Sequence, residues 1–181
     1  MLLHNLLNNK SLLQYEGCRD YLNKQLEDFF ILNKKELSEV IKKAHLVKEK
    51  IDTIDTFIQK CTEITCPNCK DVCCINKHGQ HDLNDLIFIY SLGLKPPNYK
   101  IRINDHEPCQ FLSPQGCRVD RYLRPFRCIW YFCNALLESA ETMPSKKYRE
   151  FICLFHEIIN IRREFIYEFS CLLERHIPSH P

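Results

Sequence analysis

Eight of the chain's twelve cysteines fall in one stretch with metal-ligand spacing: Cys66-x2-Cys69-x3-Cys73-Cys74, then Cys109, Cys117, Cys128 and Cys133. Thiolates are soft, strongly donating ligands that favour zinc, copper(I) and iron–sulfur clusters. So many sulfur ligands in one module imply a bound metal before they imply catalysis. Cys66 and Cys69 are separated by Pro67-Asn68, good turn residues that let two sulfurs meet one ion. The vicinal pair Cys73-Cys74 is different. Neighbouring side chains diverge, so these two serve different metals, or one ligates while the other supports a ligand. Pro108-Cys109 and Gly116-Cys117 flank a turn containing Pro114, and Cys128 and Cys133 bracket an aromatic run, Trp130-Tyr131-Phe132, suited to excluding water. Cys133, like Cys73 and Cys74, is read as a ligand or as a residue supporting one.

Other groupings are weaker. Cys61-x4-Cys66-x2-Cys69 echoes the plant-type 2Fe–2S spacing, but Cys61 also completes an apolar helical seam. Cys66 and Cys69 with His78 and His81 imitate a zinc finger, yet the gap is short and H-x2-H falls below the usual range. His106, between Asp105 and Glu107, reads as a surface residue.

The N-terminal residues Met1 to Lys10 lack a basic region, an unbroken apolar run and a small-residue cleavage site, so no signal peptide is expected. No stretch reads as a membrane span. A cytoplasmic, reducing setting follows, in which dense cysteines are metal-binding or catalytic rather than disulfide-bonded. The net charge of +2 gives no case for nucleic acid or an anionic membrane. Four glycines, Gly17, Gly79, Gly93 and Gly116, build no phosphate-cradling loop.

The elements that must position the cysteines are helical. A chain of 181 residues fits one domain, with N-terminal helices over 1–61, a cysteine-rich module over 62–134 and a C-terminal helix over 135–181. A weaker helix is expected around residues 18–31. Asn33 and Glu36 read as an N-cap and its capping-box partner for a helix running to about Cys61. Along it Leu37, Val40, Ala44, Val47, Ile51, Ile54, Ile58 and Cys61 alternate three and four residues apart. Such a seam needs a partner. The C-terminal helix, opening at Pro144-Ser145 and ending near Ile177, offers Tyr148, Phe151, Ile152, Phe155, Ile158, Ile159, Phe165, Ile166, Phe169, Leu172 and Leu173, largely on one face. Packing of the two within one chain is preferred to a homodimeric coiled coil; Arg162, on the apolar face, argues against a continuous coiled coil. Either a monomer or a homodimer, and an unknown protein partner on the seam, are compatible with this pattern.

Between the helices one short helix is expected over His81 to Tyr90, ended near Gly93 and Pro96-Pro97. The rest of the module looks too irregular to offset its ordering entropy by packing. Metal ligation would supply the difference, since a structural zinc is worth about 10 to 16 kcal/mol at neutral pH. The expected fold class is therefore mainly α, with long N- and C-terminal helices around an irregular metal-binding module.

The ordered set Cys-x2-Cys-x3-Cys-Cys, Leu83-x-Asp85-Leu86, and Cys109-Gln110-Phe111-Leu112-x3-Gly116-Cys117-x6-Arg124-Pro125-x2-Cys128 resembles the YkgJ or CxxCxxCC family of proposed zinc- or iron-chelating domains. The likeness covers roughly residues 64 to 134. This chain has three residues, Lys70-Asp71-Val72, where the family has two, and reads Cys128-Ile129-Trp130-Tyr131 where the family has Cys-Arg-x-Phe-Pro. A relative in that family, the flagellin lysine methylase FliB, is associated with a 4Fe-4S cluster. The resemblance thus implies an iron–sulfur cluster in preference to zinc, although eight cysteines equally suit two tetrathiolate zinc sites.

Arg118, Arg121, Arg124 and Arg127 recur every third residue beside Cys117 and Cys128. A tetrathiolate site is formally dianionic, so nearby guanidinium groups would lower thiolate pKa values and stabilise it. Arg124, which also matches the family's Arg-Pro, is the first candidate for that role; the others fit a solvated basic face. The functional expectation is a metal-binding protein. A FliB-like lysine-modifying or redox enzyme, and a zinc-stabilised interaction scaffold, are the alternatives. No nucleophile–base pair stands out.

Overall fold

The computed structural model describes residues 16–66, 74, 79–98, 100, 107–114 and 116–176. The fold is mainly α. Its elements are α1 (Glu16–Leu32), α2 (Ser38–Thr65), α3 (Leu83–Ser91), the strands β1 (Leu112–Ser113) and β2 (Gly116–Cys117), a 3-10 turn (Arg121–Leu123), α4 (Arg127–Trp130), α5 (Asn134–Glu141) and α6 (Ser145–Arg175). Among the described residues no helix is long and apolar enough to cross a membrane.

The expected seam forms the spine. Leu37, Val40, Ala44, Val47, Ile51, Ile54, Ile58 and Cys61 are all buried, and α2 packs chiefly against α6 of the same chain. The helices run antiparallel: Lys43 pairs with Glu168 at 2.5 Å and Glu164 at 3.3 Å, Lys50 with Glu157, and His176 meets Glu36 at 3.0 Å. Partner numbers fall as seam numbers rise. On α6 the buried positions are Phe151, Ile158, Phe165, Phe169 and Leu173. They recur at intervals of seven or four, so one narrow stripe faces α2.

Asn33 does not cap α2. Its backbone N–H and its side-chain amide both donate to the Phe29 carbonyl, at 3.0 and 2.9 Å, and so extend the end of α1. The N-cap of α2 is Leu37, with no side-chain capping bond. The local Asn33-x-x-Glu36 pattern lost to continuation of the preceding helix. The C-terminal helix opens at Ser145, as its sequence pattern implied, and is preceded within 135–181 by the separate short helix α5; α2 runs on to Thr65, a turn beyond its expected end.

Helix α3 lies at the centre. Leu83, Leu86, Ile87, Phe88, Ile89 and Tyr90 are buried on every side of it, against α1, α2 and α6. A helix apolar all round is a buried one and shows no amphipathic period, so this segment packs far more surface than its sequence pattern promised. Its start is well made. Asp82 and Asp85 form a reciprocal capping box, each carboxylate accepting from the other's backbone N–H at 2.9 and 3.0 Å. Its end is closed by Gly93 N–H to the Tyr90 carbonyl and Leu94 N–H to the Ile89 carbonyl, a Schellman pair.

Ile54 is fully buried in the middle of the seam. Ile54→Ala is expected to destabilise the protein by about 2–5 kcal/mol, read as a lower urea midpoint at unchanged m-value. A loss under about 0.5 kcal/mol would mean that the α2–α6 seam is not the stabilising core.

Candidate metal centre and its supports

The best-placed thiols are Cys109, Cys117 and Cys128. Cys109 is buried and its N–H donates to the Cys74 carbonyl at 2.7 Å. This backbone bond draws the end of the vicinal pair to the start of the hairpin. Gly79 lies against the same place: a Cβ there would sit 2.9 Å from the Phe111 ring and 3.4 Å from the Cys109 sulfur. A side chain at 79 would push the Phe111 ring aside.

The strands form a two-residue antiparallel ladder with Leu112 opposite Cys117 and Ser113 opposite Gly116. Gly116 has φ of +101°, a conformation L side chains rarely adopt, and Ser113 Oγ donates to its carbonyl at 2.8 Å. The hairpin thereby brings Cys117 back toward Cys109. Cys128 arrives from α4, its N–H bonded to the Pro125 carbonyl at 2.8 Å.

Burial pushes the Cys128 thiol up to about 11. Arg127 opposes that rise most, Cys109 and Cys117 add to it, and Arg124 opposes it again. Three thiols and two guanidinium groups therefore share one electrostatic environment. Among the described residues no group of three Cys, His, Asp or Glu side chains is close enough to hold a metal ion. Cys69, Cys73, His78 and His106 lie outside the described residues. Cys66, exposed at the C-cap of α2, donates its N–H to the Thr62 carbonyl.

Cys133 sits elsewhere. It precedes α5 and packs against the small apolar cluster of Cys61, Leu136 and Ala140. Cys61 is core, as its seam position implied. Within the aromatic run, Phe132 packs edge-on to Phe151 at 5.6 Å, whereas Trp130 is exposed.

The four arginines do four different things. Arg118 is exposed and donates to the Gln110 carbonyl at 2.7 Å. Arg121 is buried and pairs with Asp55 of α2; it is an anchor rather than part of a solvated face. Arg124 Nε donates to the Val119 carbonyl and Arg127 to the Gln80 carbonyl, both at 2.7 Å. Of these, Arg127 favours the Cys128 thiolate more than Arg124 does.

Two buried ionisable groups, Asp85 and His81, carry roles other than those the sequence suggested: Asp85 appears there only within the Leu83-x-Asp85-Leu86 motif, and His81, weighed as a zinc ligand or a solvated residue, is buried. Asp85 accepts at one oxygen from Phe126 N–H at 3.0 Å and from Arg162 Nη2 at 2.9 Å. Burial pushes its carboxyl up to about 6, with Asp82 adding, while Arg162 and the two backbone donors resist. His81 lies buried with Nε2 at 2.7 Å from the Leu123 carbonyl. Burial lowers it to about 4, the Leu123 carbonyl opposing and Arg19 and Arg127 assisting. The signal available in the sequence was a lone charge inside each apolar pattern, Asp85 in one helix and Arg162 in another.

No family model, curated protein or solved structure matches the chain.

His81 and Asp85 act oppositely on acid stability. The folded pKa of His81 lies below its unfolded value, so its contribution is full above pH 6.5 and is lost as pH falls toward 4. That of Asp85 lies above its unfolded value, so its contribution is full below pH 3.8 and is lost as pH rises through 6. His81→Gln should therefore remove the acid-sensitive part alone. From pH 4 to pH 7 the stability advantage of wild type over this variant should grow by about 3 kcal/mol. Urea midpoints of both proteins across that range check it; a difference independent of pH would show that His81 is not buried neutral.

Proposed function

We propose that the chain is a metal-binding protein whose cysteine module holds an iron–sulfur cluster or zinc. The observation that carries this reading is the spacing of the cysteines in the sequence, with Cys109, Cys117, Arg124 and Arg127 all near enough to act on the charge of the Cys128 thiol, while among the described residues no three donor side chains lie close enough to hold an ion. A buried thiol held above its ordinary pKa is an unfavourable home for a lone thiolate, and a bound cation reverses that preference. The donor set fits. Three thiols come from the segment 109–128, and the remainder from Cys66, Cys69, Cys73 and Cys74, the last tied to Cys109 through the backbone.

The resemblance to the YkgJ or CxxCxxCC family supports the same chemistry and favours a 4Fe-4S cluster over zinc. A cluster uses four thiolates, leaving the others to support them; two zinc ions would use eight. Cys133, packed with Cys61, suits a supporting place better than a ligand's. A FliB-like modifying or redox activity would rest on the cluster, and a scaffold role on zinc. A cytoplasmic setting is part of this reading, because thiols stay reduced there.

Metal and sulfide analysis of protein purified without oxygen tests it. Cys109→Ser, Cys117→Ser and Cys128→Ser should each lower bound iron or zinc by about tenfold or more, whereas Cys153→Ser, an exposed cysteine of α6, should leave it unchanged. Brown protein with acid-labile sulfide would mean a cluster, and colourless protein with zinc a structural site. A folded protein holding neither would refute the proposal.

A further inference from the structure

We propose that Asp85 and Arg162 are positioning residues that set Cys128 in the thiol site; this rests on the metal-binding reading above. The ion pair is buried between α3 and α6, far in sequence from the cysteines. Its reach to them runs through Phe126. One Asp85 oxygen accepts from both Arg162 Nη2 and the Phe126 N–H, and the guanidinium carbon of Arg162 lies 4.3 Å over the Phe126 ring. Phe126 is thus held by its amide and by its ring face at once.

Phe126 is also where α4 begins. It is the N-cap of that helix, and its carbonyl accepts from Ile129 N–H at 2.9 Å and Trp130 N–H at 3.3 Å. Cys128 lies inside this single turn, two residues beyond the clamp. A helix of four residues has too few bonds of its own to hold an orientation. Its direction is imposed from outside, by the clamp at Phe126 and by Ile129, which is buried in the core. Arg127 leaves the same turn toward the Gln80 carbonyl, just before α3. The α3 carboxylate, the α6 guanidinium and the Cys128 turn therefore form one unit.

If the pair only stabilised the fold, any comparable loss in α6 would have the same effect on Cys128. If it positions Cys128, its removal should be felt there selectively. The full-length protein, purified without oxygen, is alkylated with iodoacetamide and labelling of Cys128 is followed by mass spectrometry, alongside the rate at which EDTA strips iron or zinc. Arg162→Met is expected to raise both rates by about tenfold. Arg162→Lys, which keeps a cation for Asp85, should recover most of the wild-type protection. Leu173→Ala, a buried seam position toward the far end of α6, is the control for general destabilisation and should change either rate by less than about twofold.

Phe126→Leu supplies a second approach should Arg162→Met fail to fold. It removes the ring under the guanidinium and should raise Cys128 labelling by a few fold. Equal effects of Arg162→Met and Leu173→Ala, or unchanged Cys128 labelling in Phe126→Leu, would overturn the positioning role. Wild-type protein without metal would overturn the metal reading instead, and Cys128 labelling would still decide the role of the pair.

Discussion

The Asp85 carboxylate is the constraint on which the arrangement around the module depends. A carboxylate taken out of water loses several kcal/mol of hydration and persists only where donors replace that water. Asp85 finds them in three places: the Asp82 N–H at its own helix start, the Phe126 N–H before α4, and Arg162 on α6. The last two are separated by 41 and 77 residues from Asp85 along the chain. Satisfying one charge therefore fixes the relative placement of the central helix, the cysteine module and the C-terminal helix. Apolar burial drives collapse without direction; the carboxylate selects one docking among those that bury similar area.

A second buried contact complements the first. Arg121, in the 3-10 turn, reaches Asp55 of α2, and burial lowers its pKa while Asp55 and Cys117 oppose that. Together with Phe132 against Phe151 and Ile129 in the core, these contacts tie residues 121–132 to the helical frame through side chains alone. The expectation that metal must supply the ordering of the whole module is thus too strong for this part. Packing and ion pairs order it, leaving the thiols as the part that a cation would complete.

The spine was legible in the sequence because α2 repeats one physical rule over 28 residues: each third or fourth side chain is apolar, and each of those is buried. The N-terminus of α2 was misread because a capping pattern is four residues long and Asn33 had an equally good partner behind it, the Phe29 carbonyl. Helix α3 was placed correctly, yet its Asp82–Asp85 box went unread and its burial was underestimated, since all-round apolarity leaves no period to detect. Arg162 looked like a flaw in a coiled coil. It is half of an ion pair whose other half, Asp85, is equally out of place in its own helix, and neither pattern names the other. Regular spacing likewise suggested that part of the series Arg118, Arg121, Arg124 and Arg127 shares a face, with Arg124 supporting the thiols and the others solvated, but the chain is strand, turn and short helix there, and each meets a different partner.

The charge balance at Cys128 bears on which metal suits the site. Four thiolates around zinc or a 4Fe-4S cluster carry a formal double negative charge, and at the proposed site Arg124 and Arg127, which both favour the Cys128 thiolate, would offset it in either case. For zinc the offset is purely a matter of affinity, because zinc does not change oxidation state. For a cluster the same two cations act unequally on its states. Reduction adds one negative charge, so nearby guanidinium groups stabilise the reduced form more than the oxidised form and raise the potential, whereas burial without donors lowers it. Arg127 spends part of its hydrogen bonding on the Gln80 carbonyl and Arg124 on the Val119 carbonyl. Both are thereby held in place while still favouring the Cys128 thiolate. In the proposed cluster that arrangement would bias one oxidation state over the other, whereas at the proposed zinc site it would act on affinity alone.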